Sequence, residues 1–206
     1  MLVDILIVKY GQPKLEAECI ESVRKHTRGV DCVVHVHDNF VLDRPLAAVW
    51  NEMITASEAE YVCLLNNDTR VGAGWLPKLI EVFTTHPDAG IVGPVTNHAA
   101  GSQGRKRAGL PKSIYSTNMM SGFCMVFPKT IWAHVGKFDE EYEIYGEDSD
   151  FCRAVLVAGK KLYVRNDVFI FHHGAQGTPV ATRRGKDMDA IRKRSSARYT
   201  EKWQRK

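Results

Sequence analysis

The sequence has no CxxC pair, no GxGxxG run and no GxxxxGK[ST] loop. Those absences exclude the zinc-ribbon and thioredoxin-like cysteine motifs, the dinucleotide fingerprint and the P-loop. Five cysteines are present (Cys19, Cys32, Cys63, Cys124, Cys152), widely spaced and odd in number, so they form no complete disulfide framework. Most sit in apolar runs, which marks them as buried free thiols and gives the reducing cytosol as the expected compartment. No long hydrophobic run occurs. The N-terminal stretch Met1 to Val8 carries Asp4, lacks a basic start, and is too short for a signal peptide or a membrane span. It reads as a first strand. Internal repeats and dividing linkers are also missing.

What remains is ordinary for a globular domain. Across 206 residues the hydrophobic share is 44% and the charged share 25%, enough apolar side chain for one substantial core and too little charge imbalance for disorder. The formal charge of +4 suits an anionic small molecule and is weak support for a nucleic-acid partner.

Periodicity sets the organisation. Ile5 to Val8 is a strand-like run ending at Lys9-Tyr10-Gly11, followed by helical spacing at Leu15, Cys19, Ile20 and Val23. Cys32 to Val36 reads as a second strand, ending at His37-Asp38-Asn39. Leu46, Val49, Trp50, Met53 and Ile54 mark one helical face, and Tyr61 to Leu65 a third strand. This β-α-β-α-β order predicts an α/β fold with a mostly parallel sheet. Tyr10, Asp38 and Asp68 fall just past three strand ends, where open α/β sheets bind ligands. Asn97 to Lys112, with three glycines around Arg105-Lys106-Arg107, reads as an exposed, mobile loop. Beyond it lie a strand at Gly122 to Phe127, a helix at Glu147 to Val157, a long strand at Val164 to Phe171 and a basic tail from Lys186 with helical spacing.

Three constellations can carry chemistry. Asn66-Asn67-Asp68 at the end of a buried strand offers hard oxygen ligands for Mn²⁺ or Mg²⁺, although Asn and Asp are equally ordinary turn formers. Gly146-Glu147-Asp148 offers a carboxylate general base with an acidic neighbour for an acceptor hydroxyl; the plain alternative is a helix N-terminus whose dipole favours acids. His172-His173 after an apolar strand is either an edge pair or a source of one metal ligand.

Taken in order, these pieces resemble the family 2 glycosyltransferases. The resemblance rests on strands ending at Tyr10 and at Asp38-Asn39, on Leu64-Leu65-Asn66-Asn67-Asp68-Thr69, and on Ser121-Gly122-Phe123-Cys124-Met125-Val126. It continues through Val135-Gly136-Lys137-Phe138-Asp139-Glu140, Tyr145 to Arg153, Ala158-Gly159-Lys160-Lys161 and His172-His173-Gly174, and ends at the aromatic-Lys-Trp pattern of Tyr199 to Trp203.

The resemblance implies a GT-A fold, a Rossmann-like, mostly parallel central sheet flanked by helices, in one domain spanning 1–206. Residues 1–96 would form the nucleotide-sugar half, 113–180 the acceptor and catalytic half, and 181–206 a basic tail. It implies inverting transfer from a nucleotide-sugar donor to a glycan, lipid-linked or other hydroxyl acceptor. Asp68 takes the place of the metal-binding aspartate of the family's D-x-D motif, whose first position is Asn66 here, and His172, rather than His173, matches the late metal-binding histidine. Asp148 matches the base and Glu147 its acceptor-orienting neighbour. Asp38 matches the residue that binds base or ribose, with Tyr10, Asn66 and Asn67 in the same donor pocket. Because Asp38 can accept from the N3–H of uracil or thymine, UDP- or dTDP-sugars are favoured over GDP-sugars. Two rival readings stay open, a non-catalytic sugar-nucleotide or glycan-binding module and a nucleotidyltransferase. The basic loop and tail could meet an anionic surface. Nothing in the sequence reads bases, so nucleic acid is the weaker partner.

Overall fold

The computed structural model describes residues 1–99, 101–104 and 113–204. In chain order, β1 (Leu2–Lys9), α1 (Pro13–His26), β2 (Asp31–Asp38), α2 (Leu46–Ala56) and β3 (Tyr61–Asn66) supply the expected β-α-β-α-β start. There follow β4 (Thr69–Arg70), α3 (Trp75–Thr85), β5 (Ala89–Val95), a short 3₁₀ turn at Gly101–Gln103, β6 (Ile114–Thr117) and β7 (Cys124–Pro128). The chain then forms α4 (Lys129–Val135), α5 (Glu147–Val157), β8 (Lys161–Phe169), β9 (Phe171–His172), α6 (Gly177–Arg183) and α7 (Met188–Gln204).

Seven strands make one sheet in the order β2-β1-β3-β7-β5-β8-β6, while β4 and β9 pair separately. β2, β1 and β3 run parallel, and so do β5 and β8; β7 enters antiparallel between β3 and β5, and β6 pairs antiparallel with β8. Five of the seven strands therefore point one way, the mostly parallel sheet expected. The reversal at β7 was not legible, because the two-residue period of a strand carries no direction.

Both faces of the sheet are covered, and alternation explains how. Val3, Ile5 and Ile7 of β1, with Cys63 and Leu65 of β3 and Cys124 and Val126 of β7, pack against α1 and α3. Their neighbours Leu6, Val62, Leu64, Met125 and Phe127 pack on the other side against α2, α4 and α5. Successive strand residues face opposite ways, so a strand buried on both faces reads as a continuous apolar run. Four of the five cysteines are buried and all are free, as their apolar settings require.

The loop after β5 departs from expectation in its first part. Thr96 and Gln103 are buried, with the Gln103 amide donating to the Pro94 carbonyl (2.9 Å) and accepting from the Ser121 N–H (2.8 Å). This segment is ordered because a buried carboxamide closes it onto β5. Arg105-Lys106-Arg107 lies outside the described residues.

The basic tail is helical, as its spacing suggests, and two of its cations are tied to acids of the fold. Arg198 and Lys202 of α7 both bind Asp139, and Lys202 Nζ reaches Asp150 Oδ2 (2.7 Å) on α5. The Trp203 indole N–H donates to the other Asp150 oxygen (2.8 Å). These contacts strap α7 to the helix that carries Glu147 and Asp148. Among the described residues, no helix is long and apolar enough to cross a membrane.

Candidate active site

A cavity of about 400 Å³ opens at the carboxyl ends of the parallel strands. Its walls include Tyr10, Asn66, Asn67, Asp68, Glu147, Asp148 and His172, so the structure gathers seven of the eight residues singled out from the sequence.

The turn Asn67-Asp68 joins β3 to β4 and is both a turn and a presenter of side chains. β4 pairs with β9, setting Thr69 opposite His172. That pairing brings His172 Nε2 to 3.2 Å from Asp68 Oδ1, with both side chains buried. The ring is fixed on every side. Phe123 stacks on it (5.0 Å, 18°), the His98 ring meets it edge-on, and the Asn97 carboxamide holds its backbone by two 2.9 Å hydrogen bonds. Nδ1 lies 3.0 Å from the His98 carbonyl oxygen, which can only accept, so Nδ1 carries the proton. In the neutral ring Nε2 then presents a lone pair, has no hydrogen-bond partner, and faces a carboxylate oxygen. Two lone pairs aimed at one point fit a cation between them. Among the described residues no group of three His, Cys, Asp or Glu side chains is placed to hold a metal. A cation held here would have one carboxylate oxygen and one imidazole nitrogen from the protein, with further ligands coming from a bound molecule.

Across the cavity stands the N-terminus of α5. Tyr145 (φ 68°) and Gly146 (φ 99°) both take left-handed backbone, and a Cβ at Gly146 would lie 2.8 Å from the Tyr142 ring. Glycine is needed there on both counts. The kink delivers Glu147 and Asp148 as the first residues of the helix, where its dipole favours negative charge. Gly122 clears space in a similar way, since a Cβ on it would press at 3.3 Å against both Asp148 and Trp50.

The two carboxyls differ in their surroundings. Asp148 Oδ2 accepts from the Gly122 N–H (2.9 Å), and Oδ1 from the Ser149 N–H (2.7 Å) and hydroxyl (3.3 Å). Burial pushes its carboxyl above the ordinary range, while these hydrogen bonds favour the charged form. Glu147 is buried with Oε2 unpartnered, and burial together with the charge of Asp148 pushes it up to about 8. Of the two, Asp148 has the surroundings that favour the carboxylate and Glu147 those that favour the protonated acid.

Asp38 is the residue the structure leaves out. It sits exposed at the end of β2, outside the cavity wall, where the Phe40 N–H and then Lys9 (3.1 Å) hold its carboxyl below the ordinary range. Asp43 lines the wall instead, taking hydrogen bonds from the Tyr10 hydroxyl, Arg184 and Lys186. Burial alone would raise it; those three partners outweigh burial and lower it. His173 turns away, stacking edge-on with Phe171 and lying 4.0 Å from Glu18, which leaves His172 as the histidine in the cavity.

Sequence reasoning missed Asp43, Asn97, His98 and Glu16. Glu16 is buried at the start of α1, where Oε1 accepts from the Tyr10 and Gln12 N–H groups and the Asn67 amide, tying the first loop to the Asn67-Asp68 turn. Its only signal was an acid in the first turn of a helix.

An open, doubly covered sheet with a metal-compatible pair and a carboxylate pair facing one cavity defines a candidate enzyme site on an α/β fold. Residues 40–154 match the family model for glycosyl transferase family 2, and the chain belongs to that family. It is 25% identical over 149 residues to the N-acetylglucosaminyl-diphospho-decaprenol L-rhamnosyltransferase of Mycobacterium tuberculosis, covering 58% of this chain and 48% of that protein. It therefore spans about half the length of the curated relatives it matches. Among solved structures, it superposes on GalNAc-T7 with UDP, GalNAc and Mn²⁺ with a TM-score of 0.67 at 14% identity, over 83% of this chain and 43% of that one. Residues 1–349 of S. aureus TarS match with a TM-score of 0.65 at 13% identity, over 87% and 63%. The fold is accordingly the GT-A glycosyltransferase fold.

Proposed function

We propose that the protein moves a sugar from a nucleoside-diphosphate sugar to an acceptor hydroxyl with inversion, using Asp148 as general base. The observation that carries this is the split carboxyl pair opposite the Asp68–His172 pair, in one cavity. Three hydrogen bonds favour the charged form of Asp148, which can take the acceptor proton as the oxygen attacks. Glu147, protonated, can donate a hydrogen bond that orients the acceptor. No second nucleophilic carboxylate is required, as retention would require.

Asp68 and His172 would hold Mn²⁺ or Mg²⁺, which when bound supplies positive charge to the departing diphosphate. Asn66 and Asn67 line the donor side beside Tyr10, while Asp38 lies outside the wall and could meet only a base that extends beyond the cavity. The mycobacterial relative is named for a rhamnosyl transfer to a lipid-linked diphosphate sugar, which makes a lipid-linked carbohydrate the first acceptor class to try.

The test is a thermal-shift and turnover panel of UDP-, dTDP- and GDP-sugars with and without Mn²⁺. Stabilisation by one nucleotide class together with metal-dependent donor consumption is the expected outcome. Binding without turnover would favour a non-catalytic module, and no shift with any nucleotide would remove the proposal.

A further inference from the structure

Three consecutive large apolar side chains stand in water at the rim of the cavity. Phe40 is 39% exposed, Val41 80% and Leu42 65%. The turn that carries them is braced. Buried Asn39 clasps its far end, donating from Nδ2 to the Arg44 carbonyl (2.8 Å) and accepting from the Arg44 N–H (3.2 Å). The Asp43 N–H donates back to the Asn39 carbonyl (3.0 Å), and the Asp43 carboxylate is pinned by Tyr10, Arg184 and Lys186. On the inner side the Phe40 ring packs over Gly11 and under the Arg184 guanidinium (4.8 Å). A single exposed apolar residue is ordinary, but a fixed run of three is the mark of an interaction surface.

Cations collar this tip. Arg184 and Lys186 converge on the one carboxylate of Asp43, and Lys186 also reaches Glu143 (3.4 Å). Arg183 beside them is exposed and makes no ion pair among the described residues. An anionic bilayer meets both features at once, taking the apolar side chains at the acyl boundary and the cations at headgroup level.

We propose that the turn from Asn39 to Arg44 is a membrane-docking element that seats the cavity mouth on an anionic lipid surface. Burying one aliphatic side chain of this size is worth on the order of tenfold in affinity, and each cation near such a surface about fivefold. Two such weak signals give reversible binding that needs both the tip and the lipid charge.

The test is flotation of the full chain with vesicles of phosphatidylcholine alone and of phosphatidylcholine with phosphatidylglycerol in equal parts, and it needs no transferase assay. Wild type should float with the mixed vesicles and not with phosphatidylcholine alone, and should be released by high salt. Val41→Ser with Leu42→Ser should weaken binding tenfold or more, and Arg183→Gln severalfold, with unchanged melting temperatures. As a second measurement, Leu42→Trp should show a blue-shifted emission on the mixed vesicles. Equal flotation of wild type and the double serine variant would overturn the proposal. So would a failure to bind the mixed vesicles, or a wild-type dimer that the serine variant abolishes.

Discussion

His172 Nε2 and Asp68 Oδ1 lie 3.2 Å apart and arrive from different strands, joined by the short β4–β9 pairing. With the imidazole proton on Nδ1, both atoms present lone pairs to one point, a geometry that a bound cation would complete.

Removing either ligand should therefore remove metal binding before it removes the fold. His172→Ala and Asp68→Asn should each abolish the Mn²⁺-dependent part of a nucleotide thermal shift. Asn97→Ala, which frees the His172 backbone, should weaken Mn²⁺ about 10- to 100-fold, the usual effect of losing a partner that orients a ligand. A metal-dependent shift of wild-type size in His172→Ala would remove the histidine from the metal site.

Glu147 should make the protein less stable as pH rises. In the unfolded chain this acid ionises near its ordinary value, about 4.3; in the folded chain it keeps its proton up to about 8. Between those values the unfolded state binds fewer protons, so stability contributed by the neutral folded group is lost as pH climbs. Glu147→Gln should match wild type near pH 4 and exceed it at pH 8 by about 5 kcal/mol, roughly 10–20 °C in melting temperature for a domain of this size. Activity should fall in the same variant. Equal melting temperatures at both pH values would contradict the raised value.

Asn51 should be among the costliest polar positions to change. Its amide nitrogen donates to the Phe138 carbonyl and Glu140 Oε1 (both 2.8 Å), and its oxygen accepts from the Trp132 indole (3.2 Å) and the Phe138 N–H (2.9 Å). All four capacities are used, and they hold the loop that leads into α5, where Phe138 stacks on Phe151 (4.2 Å). Asn51→Ala should cost about 3 kcal/mol, because it leaves buried partners unpaired. A loss below about 1 kcal/mol in urea unfolding would contradict that role.

What was legible in the sequence was local. Glu147-Asp148 after Gly146, and His172 after an apolar strand, are short runs that can be read without knowing which distant segments they meet. β1, β2 and β3 were legible for the same reason. β5 was not: Ala89–Val95 contains two glycines and a proline, which ordinarily argue against a central strand, yet every residue of it is buried between β7 and β8. Asp43 reads as one more loop acid, and its place in the wall follows from a left-handed backbone (φ 49°) and three partners from elsewhere in the chain. Asn97 and His98 sit in a stretch whose composition signals an open loop. Their place against His172 follows from hydrogen bonds to a strand more than seventy residues away.

The most direct measurement is turnover of Asp148→Asn set beside its donor binding. Asparagine keeps the shape and can still accept from Gly122, but it cannot take a proton. Transfer should fall by about 10²–10⁴-fold while the nucleotide thermal shift stays at the wild-type value. Wild-type turnover in Asp148→Asn, with donor binding intact, would contradict the assignment of Asp148 as the base.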